Sequence, residues 1–224
     1  MTLAIFDLDN TLIAGDSDHL WGDYLVEQGI VDAEHYKATN DQFYRDYQNG
    51  RLDIFAYLRF TLKVLADNPV EQLERWRRGF LDDKIAPIML PAARALLDKH
   101  RAQGDFLLII TATNDFVTRP IAEWLGVDHL LATTAGFHHG RYTGDVSGIP
   151  CYRQGKVERL HAWLRETGHT LEGSWFYSDS HNDLPLLRHI DNPVAVDPDP
   201  TLEREAKEQG WPVISLRNKG QTTA

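Results

Sequence analysis

Basic residues are scarce in this chain: 23 lysines and arginines face 33 aspartates and glutamates, a formal net charge of −10 over 224 residues. Such a balance does not build a surface that neutralises a nucleic-acid backbone or an anionic membrane, so neither is expected as a partner. A small anionic substrate would need its cation supplied locally. Cysteine is nearly absent. Cys151 stands alone, which excludes an internal disulfide and a cysteine-rich zinc site and fits a reducing compartment. Long apolar runs are missing as well, since "FLLII" at 106–110 falls far short of the roughly 20 residues of a membrane helix. No basic segment followed by a long apolar stretch opens the chain, and a cytoplasmic location is expected. Repeats and low-complexity tracts are lacking, and none of the ten histidines has zinc-ligand spacing with a partner.

What is present is a chain of 42% apolar composition, enough for a sizeable core. Short β-forming runs recur at Leu3–Phe6, Phe106–Ile110, Ser174–Tyr177, Pro193–Val196 and Val213–Leu216, with helical patterns between most of them. This alternation predicts a parallel α/β sheet. About a hundred residues separate the first two runs, too many for one crossover helix. Residues 16–86 read as successive helices, rich in aromatics from Trp21 to Phe80. The expected organisation is a discontinuous core, 1–15 with 87–217, a helical cap inserted after the first strand at 16–86, and a disordered tail at 218–224. "GFHHGRYTGDVSG" at 136–148 predicts a hairpin.

Two aspartates, Asp7 and Asp9, follow the first predicted strand in "DLDNT". Ligands of open parallel sheets bind beyond the carboxyl ends of the strands, which favours a site over a simple turn cap. Three further features follow in order. Thr111 ends "LLIIT", where its hydroxyl and the amides from Ala112 onward face the next helix start and suit a phosphate, although Thr111 would serve equally as a helix cap. Lys156 opens a helix in "QGKVERLHAWL". "SDSHND" places Asp179 after a strand with Asn182 and Asp183 close behind, Asn182 or Asp179 doubling as a helix cap.

Together, Asp7–Thr11, Thr111, Lys156 and Asp179–Asp183 resemble, in order and across the whole chain, the four motifs of the haloacid-dehalogenase superfamily of aspartate-nucleophile phosphatases. The insert position is similar to that of the phosphoserine-phosphatase subgroup, implying a Rossmann-like core with a helical cap. The resemblance implies Asp7 as nucleophile and Asp9 as the acid that protonates the leaving group and later activates water. It implies Mg²⁺ held by Asp7, the Asp9 carbonyl and Asp179. Phosphate would be bound by Thr111, Ala112, Lys156 and Asn182, with Asp183 orienting Lys156 or metal-bound water. The second aspartate argues for a phosphatase over a dehalogenase, because halide departure needs no acid.

Substrate choice should lie in the cap. Asp16 occupies the place of a glutamate that pairs with the substrate ammonium in phosphoserine phosphatases; it reads equally as a helix N-cap, with Asp18 and His19 as neighbouring candidates. The cap arginine of those enzymes is replaced by Thr61, and Arg59 should face elsewhere. An amino-bearing ester without a carboxylate fits better, and the full-length pattern resembles bacterial histidinol-phosphatases of this superfamily. Phosphoserine or another small phosphorylated metabolite, a phosphoryl transferase or mutase, and a non-catalytic phosphate-binding protein are the alternatives. Oligomeric state is not readable.

Overall fold

A computed structural model describes residues 2–217, so the tail at 218–224 lies outside the described residues. The expected parallel sheet is present. Its six strands run β3-β2-β1-β6-β7-β8: β1 Leu3–Phe6, β2 Phe106–Asn114, β3 His129–Thr133, β6 Trp175–Ser178, β7 Asn192–Val196 and β8 Val213–Ile214. Strand β1 is fully buried and pairs on one side with β2, Leu3 opposite Phe106, and on the other with β6, Ala4 opposite Trp175. Burial on both faces explains the unbroken apolar run LAIF. Alternation along it sends Leu3 and Ile5 into one core with Leu108 and Phe176, and Ala4 and Phe6 into another with Leu107 and Ile109.

Strand β3 was not anticipated, because "HLLAT" is short and half polar. Strand β2 runs past Ile110 to Asn114, with an irregularity in its pairing to β3 between Thr111 and Asn114. The hairpin is present as β4 Ala135–His138 and β5 Arg141–Val146.

Between β1 and β2 lie helices α1 Ser17–Glu27, α2 Ala33–Gln48, α3 Ile54–Asp67 and α4 Val70–Phe80, then a π-helical turn, a 3-10 turn and α5 Pro91–Gln103. Asp16, Asp32 and Asp53 each cap a following helix by accepting backbone N–H bonds. The insert has no separate core: Trp21, Leu25, Leu62 and Phe80 join one face of the sheet in a single cluster. Its two connections run side by side, with Ile13 bridging Met89 and Ala14 N–H donating to the Ile88 carbonyl at 2.9 Å. Strand β5 lies against α3 through Gly144, whose φ of 85° and whose closeness to the Ala66 methyl favour glycine over a residue with a side chain. Helices α6 Asp115–Leu125, α7 Gln154–Thr167, α8 Leu184–Leu187 and α9 Pro200–Gln209 complete the layers.

Candidate active site

Because β1 is central, the residues beyond its carboxyl end meet those following β2 and β6. Asp7 accepts a hydrogen bond from Lys156 Nζ at 2.8 Å, and the same ammonium donates to Asp183 at 2.8 Å. Lys156 stands in the first turn of α7; Asp183 stands in a 3-10 turn after β6, where the Ser178 hydroxyl donates to it at 2.7 Å. Burial drives the Asp7 carboxyl up to about 7 despite Lys156, with Asp183 and Asp9 adding to the rise. Burial opposes the Lys156 ammonium too, yet Asp183 and Asp7 outweigh it and hold the group above its ordinary value. Lys156 is therefore charged throughout the physiological range.

Asp9 is held at both oxygens, by the Ser17 amide at 2.7 Å and by the Thr113 hydroxyl at 2.8 Å. Burial, then the neighbouring charge of Asp16, raises it to about 6. Asp179 exchanges two hydrogen bonds with Thr11, donating its amide at 3.1 Å and accepting the hydroxyl at 3.2 Å. Burial, with Asp7 and Asp183 nearby, holds its carboxyl well above the usual range. Of these four buried or half-buried carboxylates only Asp7 and Asp183 pair with the Lys156 ammonium, which leaves an uncompensated negative charge that is costly in a low dielectric. Asp7 Oδ2, Asp179 Oδ2 and the Asp9 carbonyl oxygen accept no hydrogen bond among the described residues. Hard, oxygen-only donors left open beside excess negative charge fit a small divalent cation.

A cavity opens above this floor. Asp7, Asp9, Thr111, Ala112 and Thr113 lie at its base; α1 contributes Asp16, Asp18 and His19, α2 contributes Asn40, Phe43, Tyr44 and Tyr47, and α3 contributes Tyr57. Asp16 lines the cavity while its Oδ1 caps α1 by accepting from the amides of Asp18 at 3.0 Å and His19 at 2.9 Å. His19 is turned aside, its Nδ1 at 3.2 Å from Asn40 and its Nε2 facing Asp23 and Asp41. Thr111 lies at the base, 3.4 Å from Asp9, and the cap of the helix after β2 is Asn114, not Thr111.

Asn182, expected at the phosphate, is engaged elsewhere. Its Oδ1 accepts from the Tyr152 hydroxyl and Arg153 Nε, its amide donates to the Tyr47 carbonyl at 3.2 Å, and it is outside the cavity wall. The physical reason is the turn after β6, which points this side chain toward α2 and ties the insert to the core. Arg153 strengthens that tie through the Gly50 carbonyl. Thr61 is buried but does not reach the cavity, and Arg59 is exposed. Thr113, the Ser17 amide and Tyr57 were not anticipated. The spacing of Thr111 and Thr113 was a usable signal, since alternate residues of an extended strand share a face.

A family model described as haloacid dehalogenase-like hydrolase matches residues 4–188. A curated relative, a histidinol-phosphatase from Neisseria meningitidis serogroup C, is 48% identical over 96% of this chain and 99% of its own length. A phosphoserine phosphatase of Mycobacterium tuberculosis is 30% identical over 96% of this chain and 70% of its own. Among solved structures, a Bordetella pertussis protein described as of unknown function superposes with a TM-score of 0.91 at 41% identity, covering 97% of this chain and all of that one. A substrate-bound phosphoserine phosphatase shares the fold, with a TM-score of 0.71 at 19% identity over 96% of this chain and 93% of its own.

Proposed function

The chain belongs to the haloacid dehalogenase-like hydrolase family, as a phosphatase, and from that premise we propose that it hydrolyses histidinol phosphate to histidinol and phosphate through a phosphorylated Asp7. The observation that carries this reading is the cavity itself: an aromatic wall with Asp16 and Asp18 but no lysine or arginine, opening directly onto Asp7 and Asp9. Such a wall attracts an amine and rejects a carboxylate, and the 48% identity to a histidinol-phosphatase supports the same choice. Mg²⁺ would be held by Asp7, Asp179 and the Asp9 carbonyl, and would supply positive charge against which the phosphoryl oxygens and a carboxylate can approach each other. In the proposed division, core residues 1–15 and 87–217 carry the chemistry and the insert 16–86 reads the leaving group.

The Asp7 carboxylate attacks phosphorus as the ester P–O bond breaks, and Asp9 gives its proton to the departing alkoxide. A carboxyl raised to about 6 is well matched to both halves of this duty near neutrality, since it then accepts a proton from the water that attacks the phosphorylated Asp7. Lys156, fixed by Asp183, balances charge on Asp7 and on the transferring group, and Thr111 with the Ala112 amide faces the phosphoryl oxygens.

Phosphate release measured on histidinol phosphate, phosphoserine, sugar phosphates and nucleotides, with Mg²⁺ and then with EDTA, tests the proposal. Histidinol phosphate is expected to give the highest kcat/KM, with activity lost in EDTA. Asp7→Asn should lower turnover by roughly a thousandfold or more while the fold survives, the amide being a poor nucleophile. Full activity of that variant, or preference for a carboxylate-bearing ester, overturns the mechanism or the substrate respectively.

A further inference from the structure

The cavity contains more acid than one ammonium needs. Asp16 already accepts two α1 amides through Oδ1 and stands close enough to Asp7 for their charges to interact. Asp18 is a separate group in the cavity wall, 4% exposed, whose protein contacts are the Tyr57 hydroxyl and a long one from the Asn114 amide at 3.4 Å. No basic side chain in the wall answers it. His19, the one candidate, directs its ring nitrogens at Asn40, Asp23 and Asp41. Burial, with Asp16 and then Asp9 nearby, raises the Asp18 carboxyl to about 8, so near neutrality the group is mostly protonated until a ligand brings a cation or hydrogen-bond donor that favours its ionised form. The carboxylates are also ordered. Asp16 caps α1 directly before Ser17, whose amide holds Asp9 at 2.7 Å, whereas Asp18 takes its contacts from Asn114 and Tyr57. Histidinol phosphate presents its groups in the same order, with phosphate, then ammonium, then imidazole along one short chain. Phe43 and Tyr57, 5.3 Å apart edge to face, offer apolar surface on that side for a flat ring.

We propose that Asp18, positioned by Tyr57, determines specificity by accepting a hydrogen bond from the substrate's imidazole N–H, and that the same carboxylate repels esters bearing a carboxylate of their own. This rests on the histidinol phosphate reading and goes beyond it by assigning the ring.

The test compares wild type and Asp18→Asn at pH 9, where Asp18 is ionised, on three esters: histidinol phosphate, phenylalaninol phosphate, which keeps the ammonium and an aromatic ring but has no ring N–H, and phosphoserine. The variant should lose roughly ten- to a hundredfold in kcat/KM on histidinol phosphate, mostly in KM, as expected for one charge-assisted hydrogen bond. Phenylalaninol phosphate should change little and phosphoserine should improve, an opposition of sign that a general loss of structure cannot produce. Equal losses on the two ring-bearing esters, or no gain with phosphoserine, overturn the assignment. A second measurement needs no variant: on wild type, histidinol should inhibit p-nitrophenyl phosphate hydrolysis at lower concentration than phenylalaninol, and the reverse order also overturns it. Failure of the underlying substrate reading shows separately, as wild type preferring phosphoserine or phenylalaninol phosphate, and takes the ring assignment with it.

Discussion

Replacing Asp9 by asparagine removes a proton carrier while sparing most of what holds the side chain, because the Ser17 amide still finds an oxygen. Turnover of an alkyl phosphate should fall by about 10²–10⁴, the usual worth of general acid–base catalysis. With p-nitrophenyl phosphate, whose leaving group needs little protonation, the loss should be much smaller, and steady-state rates on both esters check the difference. Cys151 is another residue whose behaviour follows from its surroundings. It is fully buried, its thiol donates to the Leu131 carbonyl at 3.5 Å, and burial pushes it up to about 12. A thiol reagent at pH 8 should therefore leave the native protein unlabelled and modify it only in denaturant. Asp7, Asp9 and Asp179, just beyond the ends of β1 and β6, were legible in the sequence because a short apolar run announces where a parallel strand stops, and Thr111 because it closes the apolar run of β2, although that strand continues to Asn114. Asn182 was not, because its partner carbonyl on Tyr47 is 135 residues away and no local pattern reports such a contact. Tyr57 was obscured for a similar reason, looking like one more bundle aromatic, whereas Asp18 was legible as one of three candidates at the start of α1.

Between elements, the insert shares the apolar cluster on one face of the sheet, and near the active site a small polar tie is added to it. Arg153, itself in a left-handed conformation at φ 50°, reaches both Asn182 and the Gly50 carbonyl at the turn between α2 and α3. Arg153→Ala should loosen that turn and raise KM several-fold with a smaller effect on kcat, read from a full saturation curve. Helix α9 carries a second dependence. Asp199 caps it through the amides of Thr201 at 2.8 Å and Leu202 at 2.9 Å and also accepts His181 Nδ1 at 2.7 Å. Burial works against this carboxylate, but the His181 and Leu202 amides and the His181 ring prevail and hold it below its ordinary value. A depressed carboxyl lends stability above its unfolded value near 3.8 and loses it as pH falls through the folded one. Asp199→Ala should cost about 1 kcal/mol at neutral pH, a difference that shrinks on acidification, as denaturant titrations at both pH values would record. The helices of 16–86 were legible from their aspartate starts and repeated apolar spacing. Strand β3 was not, since its pairing with β2 and not its own composition makes it a strand.

Across the whole molecule, the excess of buried carboxylates over Lys156 sets how stability responds to pH and metal. Asp7 is raised to about 7 and Asp179 is held well above its ordinary 3.8. Without metal, the folded chain therefore keeps protons that the unfolded chain releases, and stability falls as pH rises from about 4 toward 7. A divalent cation reverses the penalty by binding the ionised form. At a free concentration of a hundred times Kd it adds about 2.7 kcal/mol. Melting curves in EDTA and in Mg²⁺ should show a larger increment at pH 8 than at pH 5, and an increment independent of pH would contradict the assignment of these carboxylates to the metal. The position of β1 carries a different implication, for how the chain is made. Its partners begin at Phe106 and Trp175, so at synthesis rates of about 5–20 residues per second the first strand waits on the order of 5–20 s for a neighbour. Helices α1 to α4 close on themselves long before that. The central strand of the finished sheet is thus translated well before either neighbour and stays unpaired until Phe106 emerges, an apolar LAIF with two bare edges that nascent-chain chaperones would have reason to hold.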